Sequence, residues 1–351
     1  MFISGIGTAA PAQRYTQKEC WEVFDHSPLS RQLEPRSRAI VRKVLTGNNG
    51  ITTRHLALDK IEHAFRLTPD AMHERFTTYA PLLATQAAQR AIADAGSKPE
   101  EIDAVLISTC TGYICPGLTS YVSQQLGIRS DALSLDLVGQ GCVAAMPNLR
   151  TAEALIASRS CKRVLSVCVE ICSAALYFDN DPGVLVSACL FGDGAAAALL
   201  ASEPNGNRRV EWQASGSVLA PGDRELLRFE QKEGMLRNIL RPEVPKRASA
   251  HAATLFETVL NKENLLRSQI TGWVFHPGGR DVLTALQKQL NLTDHDIRWS
   301  AAVLNEFGNT SSPSVLFVLK AALADSAPSG YWWMSSFGAG FSCQGALLKV
   351  E

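Results

Sequence analysis

Three polar residues stand where apolar segments break. Cys142 lies in Leu137-Val138-Gly139-Gln140-Gly141-Cys142-Val143-Ala144. An apolar strand enters, two glycines permit a sharp turn, and small residues open a helix. A thiol placed there faces unpaired backbone N–H groups and the positive end of a helix, which lower its pKa and favour the nucleophilic thiolate. The same N–H groups are suited to hold an oxyanion. A structural cysteine buried at a helix start has the same local pattern. His276 ends the apolar run Trp273-Val274-Phe275 and precedes Pro277-Gly278-Gly279. A histidine presented at a strand end suits proton transfer or hydrogen-bond donation near neutral pH, although a histidine that caps a turn looks alike. Asn309, in Gly308-Asn309-Thr310-Ser311-Ser312-Pro313, reads equally as an N-cap or as an amide donor that stabilises an enolate without taking up a proton. Taken together, the thiol, imidazole and amide point to covalent acyl chemistry with a developing oxyanion.

Elements must position these groups, and the chain has material for a large core. Its 351 residues are 46% hydrophobic and 19% charged, as in globular proteins. They suit one large domain or two medium ones. With 34 basic and 34 acidic residues the formal charge is zero, so nucleic acid or an anionic membrane is not expected as the main partner. The opening Met1-Phe2-Ile3-Ser4-Gly5 lacks the basic flank of a signal peptide and reads as a buried strand. No apolar run approaches the roughly 20 residues of a membrane span, and a cytoplasmic location is expected. Nine cysteines sit mostly in apolar stretches, with no Cys-x-x-Cys pair. They read as buried thiols, and no metal site is expected.

The chain also repeats itself. Phe191-Gly192-Asp193-Gly194 followed by Ala195 to Leu200 is echoed by Phe337-Gly338-Ala339-Gly340 followed by Phe341 to Leu348. Strands over Ile102–Ser108, Leu133–Val138 and Arg163–Val167 alternate with helices over Thr119–Gly127 and Val143–Ser158. In the second half a strand over Ile270–Phe275 precedes helices over Asp281–Leu290 and after Pro313, and Gly330 to Met334 opens the final strand. Continuous apolar strands alternating with helices imply sheets covered on both faces. A duplicated α/β organisation follows, with halves 1–205 and 206–351 and a polar join over Ser202–Asn207. Residues Cys20 to Thr85 form a less regular, partly helical insertion whose role periodicity does not reveal.

Gly139-Gln140-Gly141-Cys142, His276-Pro277-Gly278-Gly279 and Gly308-Asn309-Thr310-Ser311-Ser312, in this order, resemble the Cys-His-Asn triad of type III polyketide synthases, the chalcone and stilbene synthase family. Phe191-Gly192-Asp193-Gly194 matches a further family segment, and Phe337-Gly338-Ala339-Gly340-Phe341 stands where plant members carry Gly-Phe-Gly-Pro-Gly. The resemblance covers nearly the whole chain and is weakest before Thr85. It implies the thiolase fold, two βαβαβ halves in five αβαβα layers. It implies that Cys142 takes a starter acyl group from coenzyme A, while His276 and Asn309 hold malonyl-CoA as carbon dioxide leaves. It also implies a homodimer that works on coenzyme A esters with no metal or redox cofactor. Phe191 then lines the passage from the pantetheine tunnel to the reaction cavity. Arg54 falls near the contact with coenzyme A phosphates, or is a solvated surface arginine.

Where plant members that use aromatic starters place cavity threonines, this chain has Cys110, Cys172 and Ala175. A more apolar wall favours a fatty acyl-CoA starter extended to an alkylresorcinol or alkylpyrone. The stretch Gly234 to Pro245 is shorter than in plant members, leaving Leu240 as the counterpart of a second gatekeeping aromatic. Other readings are an initiating 3-ketoacyl-carrier-protein synthase, whose histidine commonly precedes Gln-Ala-Asn, or a non-catalytic partner subunit, which usually lacks the nucleophile. A hydroxymethylglutaryl thioester synthase would need a glutamate motif not seen here, and the duplicated pattern opposes a cysteine protease.

Overall fold

The structure, a computed structural model, describes residues 1–205, 209–325 and 327–351. Strand β1 (Phe2–Ala9) leads to a short β2 (Arg14–Thr16), helices α1 (Gln17–His26), α2 (Pro28–Gln32) and α3 (Pro35–Thr46), and β3 (Thr53–His55). Thr16 starts α1 with a reciprocal cap, its hydroxyl accepting from the Glu19 N–H at 3.1 Å and the Glu19 carboxylate accepting from the Thr16 N–H at 2.7 Å. Helix α4 (Pro69–Asp94) follows. The insertion read as running to Thr85 therefore ends sooner, because Thr85 lies inside α4.

The first half continues through β4 (Ala104–Thr109), α5 (Leu118–Leu126), β5 (Leu133–Val138), α6 (Ala145–Ala157), β6 (Arg163–Glu170), α7 (Pro182–Leu190) and β7 (Gly194–Ala201). The helix expected from Val143 opens instead as a 3-10 turn over Gly141–Val143 before α6. The second half carries β8 (Val210–Leu219), the hairpin β9 (Leu227–Lys232) and β10 (Met235–Leu240), and α8 (Val244–Lys262). Then come β11 (Ile270–Phe275), α9 (Arg280–Gln289), α10 (Arg298–Phe307), α11 (Ser314–Ala324), β12 (Gly330–Gly338) and β13 (Ser342–Val350). The strand opening at Gly330 is thus the penultimate one; the turn at Ala339–Phe341 reverses it into β13.

Among the described residues nine strands form one sheet in the order β11-β12-β13-β8-β1-β7-β6-β4-β5. Its two wings repeat one plan. In each, the last strand runs antiparallel to the first strand of that half and to the strand before it, and the pairs toward the outer edge are parallel. A single pairing, Phe2 with Glu211, joins the wings. Helices α6 and α11 pack between the wings, α4 and α5 cover the first, and α8 and α9 cover the second. This is the five-layered αβαβα thiolase fold. Strand β5 departs from the buried pattern. It lies at the sheet edge, with Leu133 41% and Val138 59% exposed. Of the expected join, residues 206 and 207 lie outside the described residues, while Asn205 donates to the Ser4 carbonyl at 2.7 Å. No helix among the described residues is long and apolar enough to cross a membrane.

Close approach of α4 to β1 requires glycine. A Cβ on Gly7 would stand 2.0 Å from the Ala87 carbonyl oxygen, and one on Gly5 2.3 Å from that of Ala91. The alanines at 84, 87, 88 and 91 complete the flat contact. Gly7→Ala should therefore lower stability by roughly 1–3 kcal/mol through overpacking. Urea unfolding followed by tryptophan fluorescence reads this, and an unchanged midpoint would refute the tight α4–β1 contact.

Candidate active site

Cys142 sits in the 3-10 turn between β5 and α6, 8% exposed. Gly141 turns the chain there with φ +58°, in the region glycine enters without strain. The second half presses on this turn. A Cβ on Gly338 would lie 2.6 Å from the Val143 nitrogen and 3.0 Å from the Cys142 nitrogen. Ser336 Oγ donates to the Cys142 carbonyl at 2.8 Å. His276 leaves the end of β11, its N–H donating to the Ser335 carbonyl at 2.9 Å. Its ring meets Phe337 edge-on at 5.1 Å. Asn309 precedes α11; its Nδ2 donates to the Gly278 carbonyl at 3.1 Å, and its Oδ1 accepts from the Ser311 N–H at 2.8 Å. Ser311 Oγ in turn donates to Cys142 Sγ at 3.3 Å. The three residues singled out in the sequence thus converge through Ser311, Gly278 and Phe337.

Asn309 is tied to the first half as well. Its N–H donates to the Leu190 carbonyl at 2.9 Å, and its carbonyl accepts from the Gly192 N–H at 3.0 Å. The buried Asp193 accepts from the Ala57 N–H at 2.6 Å and the Ser173 N–H at 2.7 Å. It therefore fixes the segment that presents Phe191.

Burial decides the resting charge states. Desolvation pushes the Cys142 thiol up to about 12, against the lowering hydrogen bond from Ser311. This reverses the lowering expected from a helix start: the turn is enclosed, and the charged form loses more from water than it gains from nearby N–H groups. Desolvation takes His276 down to about 3, and neither ring nitrogen has a partner. The imidazole is neutral, with one N–H and one lone pair uncommitted.

A cavity of about 620 Å³ opens at Cys142. Cys110, Cys172, Ala175 and Phe191 line it together with Ser311. His276 and Asn309 are not on its wall. Leu240 is not either: the strand ends there over Gly183, where a Cβ would lie 1.9 Å from the Leu240 carbonyl oxygen, and its side chain packs on the core of the second half. The hairpin instead offers Leu227, Phe229 and Asn238 to the cavity. Arg237, from the same hairpin, holds Asp179 at 2.7 Å and Glu230 at 2.8 Å.

Arg54 does not lie on the surface. It is 5% exposed, with Nε donating to Gln17 Oε1 at 3.0 Å and Nη1 to the carbonyls of Ala188 and Phe191 at 2.8 and 3.0 Å. Because β3 pairs with β2 at the base of the insertion, this side chain turns inward.

Two further residues escaped the sequence reading. Glu170 ends β6 with its carboxyl fully buried. It accepts from Ser312 Oγ at 2.6 Å, the Cys110 N–H at 2.9 Å and Thr111 Oγ1 at 3.0 Å. Burial raises its pKa against these hydrogen bonds. A carboxylate closing the apolar run Val164–Val169 was the available signal. Ser311 has φ +59°, an uncommon conformation for a residue with a side chain, and nothing in its motif announces that. Among the described residues no His, Cys, Asp or Glu cluster could hold a metal.

Two family models match in tandem: the chalcone and stilbene synthase N-terminal domain over residues 2–204 and the C-terminal domain over residues 212–349. The chain belongs to the chalcone and stilbene synthase family. It is a type III polyketide synthase, an acyltransferase that condenses thioesters with decarboxylation. It is 29% identical to the 1,3,6,8-tetrahydroxynaphthalene synthase of Streptomyces peucetius subsp. caesius, over 99% of this chain and 92% of that protein. It is 28% identical to the 3,5-dihydroxyphenylacetyl-CoA synthase of Streptomyces toyocaensis, over 99% and 89%. Among solved structures, PKS-I from the brown alga Ectocarpus siliculosus superposes with a TM-score of 0.90 at 26% identity, covering 99% of this chain and 98% of that one.

If Arg54 is a structural tie, Arg54→Met takes a donor from two buried carbonyls and from the Gln17 amide oxygen and costs roughly 2–5 kcal/mol. A melting curve checks this. Unchanged stability with a raised KM for coenzyme A esters would return Arg54 to phosphate binding.

Proposed function

We propose that Cys142 carries the starter acyl group and that His276 and Asn309 stabilise the enolate formed from malonyl-CoA. The observation that carries this reading is the neutral His276 ring with both nitrogens unpartnered, two residues before the Gly278 carbonyl that accepts from Asn309, which is itself bonded through Ser311 to the Cys142 sulfur. Loading moves a proton from Cys142 to His276 as sulfur attacks the thioester. Burial penalises either charge alone, but the two charges arise together, and their attraction offsets the cost. The coenzyme A thiol leaves with a proton. The malonyl thioester then enters, with its carbonyl oxygen facing the His276 N–H and the Asn309 amide. Its C–CO2 bond breaks and the electron pair becomes an enolate. That carbon attacks the acyl carbonyl, a C–C bond forms, and the Cys142 thiolate departs. The halves 1–205 and 206–351 divide the labour, the first holding the nucleophile and the second the donors. Coenzyme A thioesters are the substrates, with no metal or redox group, and a cytoplasmic location follows from that supply.

Cys110, Cys172 and Ala175 make the cavity wall more apolar than hydroxyls would, which favours a fatty acyl-CoA starter and an alkylresorcinol or alkylpyrone product. Each buried methylene contributes about 0.8 kcal/mol. The apolar edge of β5, with its unpaired backbone groups, favours a homodimer that covers it.

Cys142→Ala should abolish covalent acyl loading, read by intact mass. Acylation of another cysteine would overturn the assignment. His276→Ala or Asn309→Ala should slow malonyl-CoA decarboxylation by about 10²–10³, whereas normal decarboxylation in Asn309→Ala would leave that residue an N-cap. His276→Ala should also slow alkylation of Cys142 at neutral pH, since the thiol then has no neighbouring base to take its proton; an unchanged rate would exclude proton transfer to His276. For the starter, kcat/KM from acetyl-CoA to stearoyl-CoA should rise with chain length, and a preference for acetyl or an aromatic starter would sink the fatty-acyl reading.

A further inference from the structure

The cavity at Cys142 is apolar over most of its wall, and its polar side chains are nearly all committed to the protein. Thr111 Oγ1 donates to Glu170 at 3.0 Å, Ser187 Oγ to the Val184 carbonyl at 2.8 Å, and Ser311 Oγ to Cys142 Sγ at 3.3 Å. The Arg228 guanidinium is held by Glu225 at 2.6 Å and Glu230 at 2.9 Å. The Asn238 carboxamide and the Tyr177 hydroxyl differ: both residues line the cavity, each is only 8% exposed, and neither group has a hydrogen-bond partner among the described residues.

The hairpin delivers Asn238 to this wall. On β10 it stands opposite Phe229 of β9, another wall residue. The strand packs against α7 and the 3-10 turn Cys172–Ala175. Side chains alternate along a strand, so Arg237 projects from the other face, where it binds Asp179 and Glu230. Those ion pairs fix the hairpin and leave the amide uncommitted on the cavity side. Tyr177 follows the 3-10 turn, its ring beneath the Lys232 ammonium at 5.6 Å. A carboxamide offers two donors and an acceptor, and a buried one without a partner is costly and calls for an explanation.

We propose that Asn238 is a specificity-determining residue whose amide donates to a ketone oxygen of the chain growing on Cys142, with the Tyr177 hydroxyl as a second contact. The inference rests on the loading of Cys142 proposed above. Each condensation leaves a ketone, so an extended chain carries an acceptor that a plain acyl starter lacks. In an apolar cavity that oxygen loses its water, and the amide replaces the lost hydrogen bond. A chain pinned at the hairpin presents a defined segment to the thioester, which bears on how its ring closes.

The test uses the full chain, malonyl-CoA, and two primers of equal length, 3-oxohexanoyl-CoA and hexanoyl-CoA. Asn238→Leu keeps the side-chain size and removes the amide. The ratio of kcat/KM for the oxo primer over the plain one should fall at least about fivefold relative to the unsubstituted enzyme, and Tyr177→Phe should lower it less. A ratio cancels losses in folded protein. Infrared spectra of the enzyme loaded with 3-oxohexanoyl carrying carbon-13 at the ketone, with no malonyl-CoA present, read the contact directly. The ketone band should lie lower in the unsubstituted enzyme than in Asn238→Leu. An unchanged ratio, or one band position in both proteins, would overturn the role of Asn238 while leaving Cys142 as the loaded residue. An unchanged ratio in Tyr177→Phe would remove the second contact. Acyl groups mapped by peptide mass to a residue other than Cys142 would overturn the loading assignment and this inference with it.

Discussion

Two backbone hydrogen bonds between Asn309 and the Leu190–Gly192 segment hold the active site in one piece. They join a loop of the second half to a loop of the first, and each half presents an incomplete set of groups without the other. Arg54 strengthens the joint by binding the carbonyls of Ala188 and Phe191 from the insertion side. Asp193 strengthens it from the sheet side, through the Ala57 and Ser173 N–H groups. Buried polar groups of this kind are costly alone and rigid when fully paired. The joint is therefore rigid beside Cys142, His276 and Asn309.

The same burial that fixes the site sets its electrostatics. Cys142, Glu170 and His276 all have their charged forms disfavoured by loss of water. A site built this way holds little charge at rest. A permanently charged thiolate would need a standing counter-ion. Here the hydrogen bond from Ser311 and the uncommitted imidazole are the available help.

Sequence patterns revealed the parts of the molecule governed by short-range rules. Glycine turns located Cys142, a strand end located His276, and the paired glycine-rich segments disclosed the duplicated fold before any coordinate. Cys110, Cys172, Ala175 and Phe191 all line the cavity. What depended on three-dimensional enclosure was illegible. Arg54 looks the same in sequence whether it faces water or carbonyls. Leu240 shares a strand face with Asn238, and only the crossing over Gly183 keeps it off the cavity. The rise in the Cys142 pKa required knowing that the second half closes over the turn, which no local pattern around Gly141 encodes. The edge position of β5 was hidden too, since a strand's own residues do not say whether a neighbour pairs with it.

The position of β1 has a consequence for how the chain is made. It leaves the ribosome well before its ladder partner β7, which is completed only at Ala201. At cellular elongation rates that interval is on the order of tens of seconds. Throughout it an apolar strand with two unfilled edges must be kept from strangers, and α4, whose alanine face fits Gly5 and Gly7, is its earliest native companion. Sequence-distant pairing of this sort makes folding slow. The glycine–alanine contact thus doubles as a temporary shelter for the nascent strand.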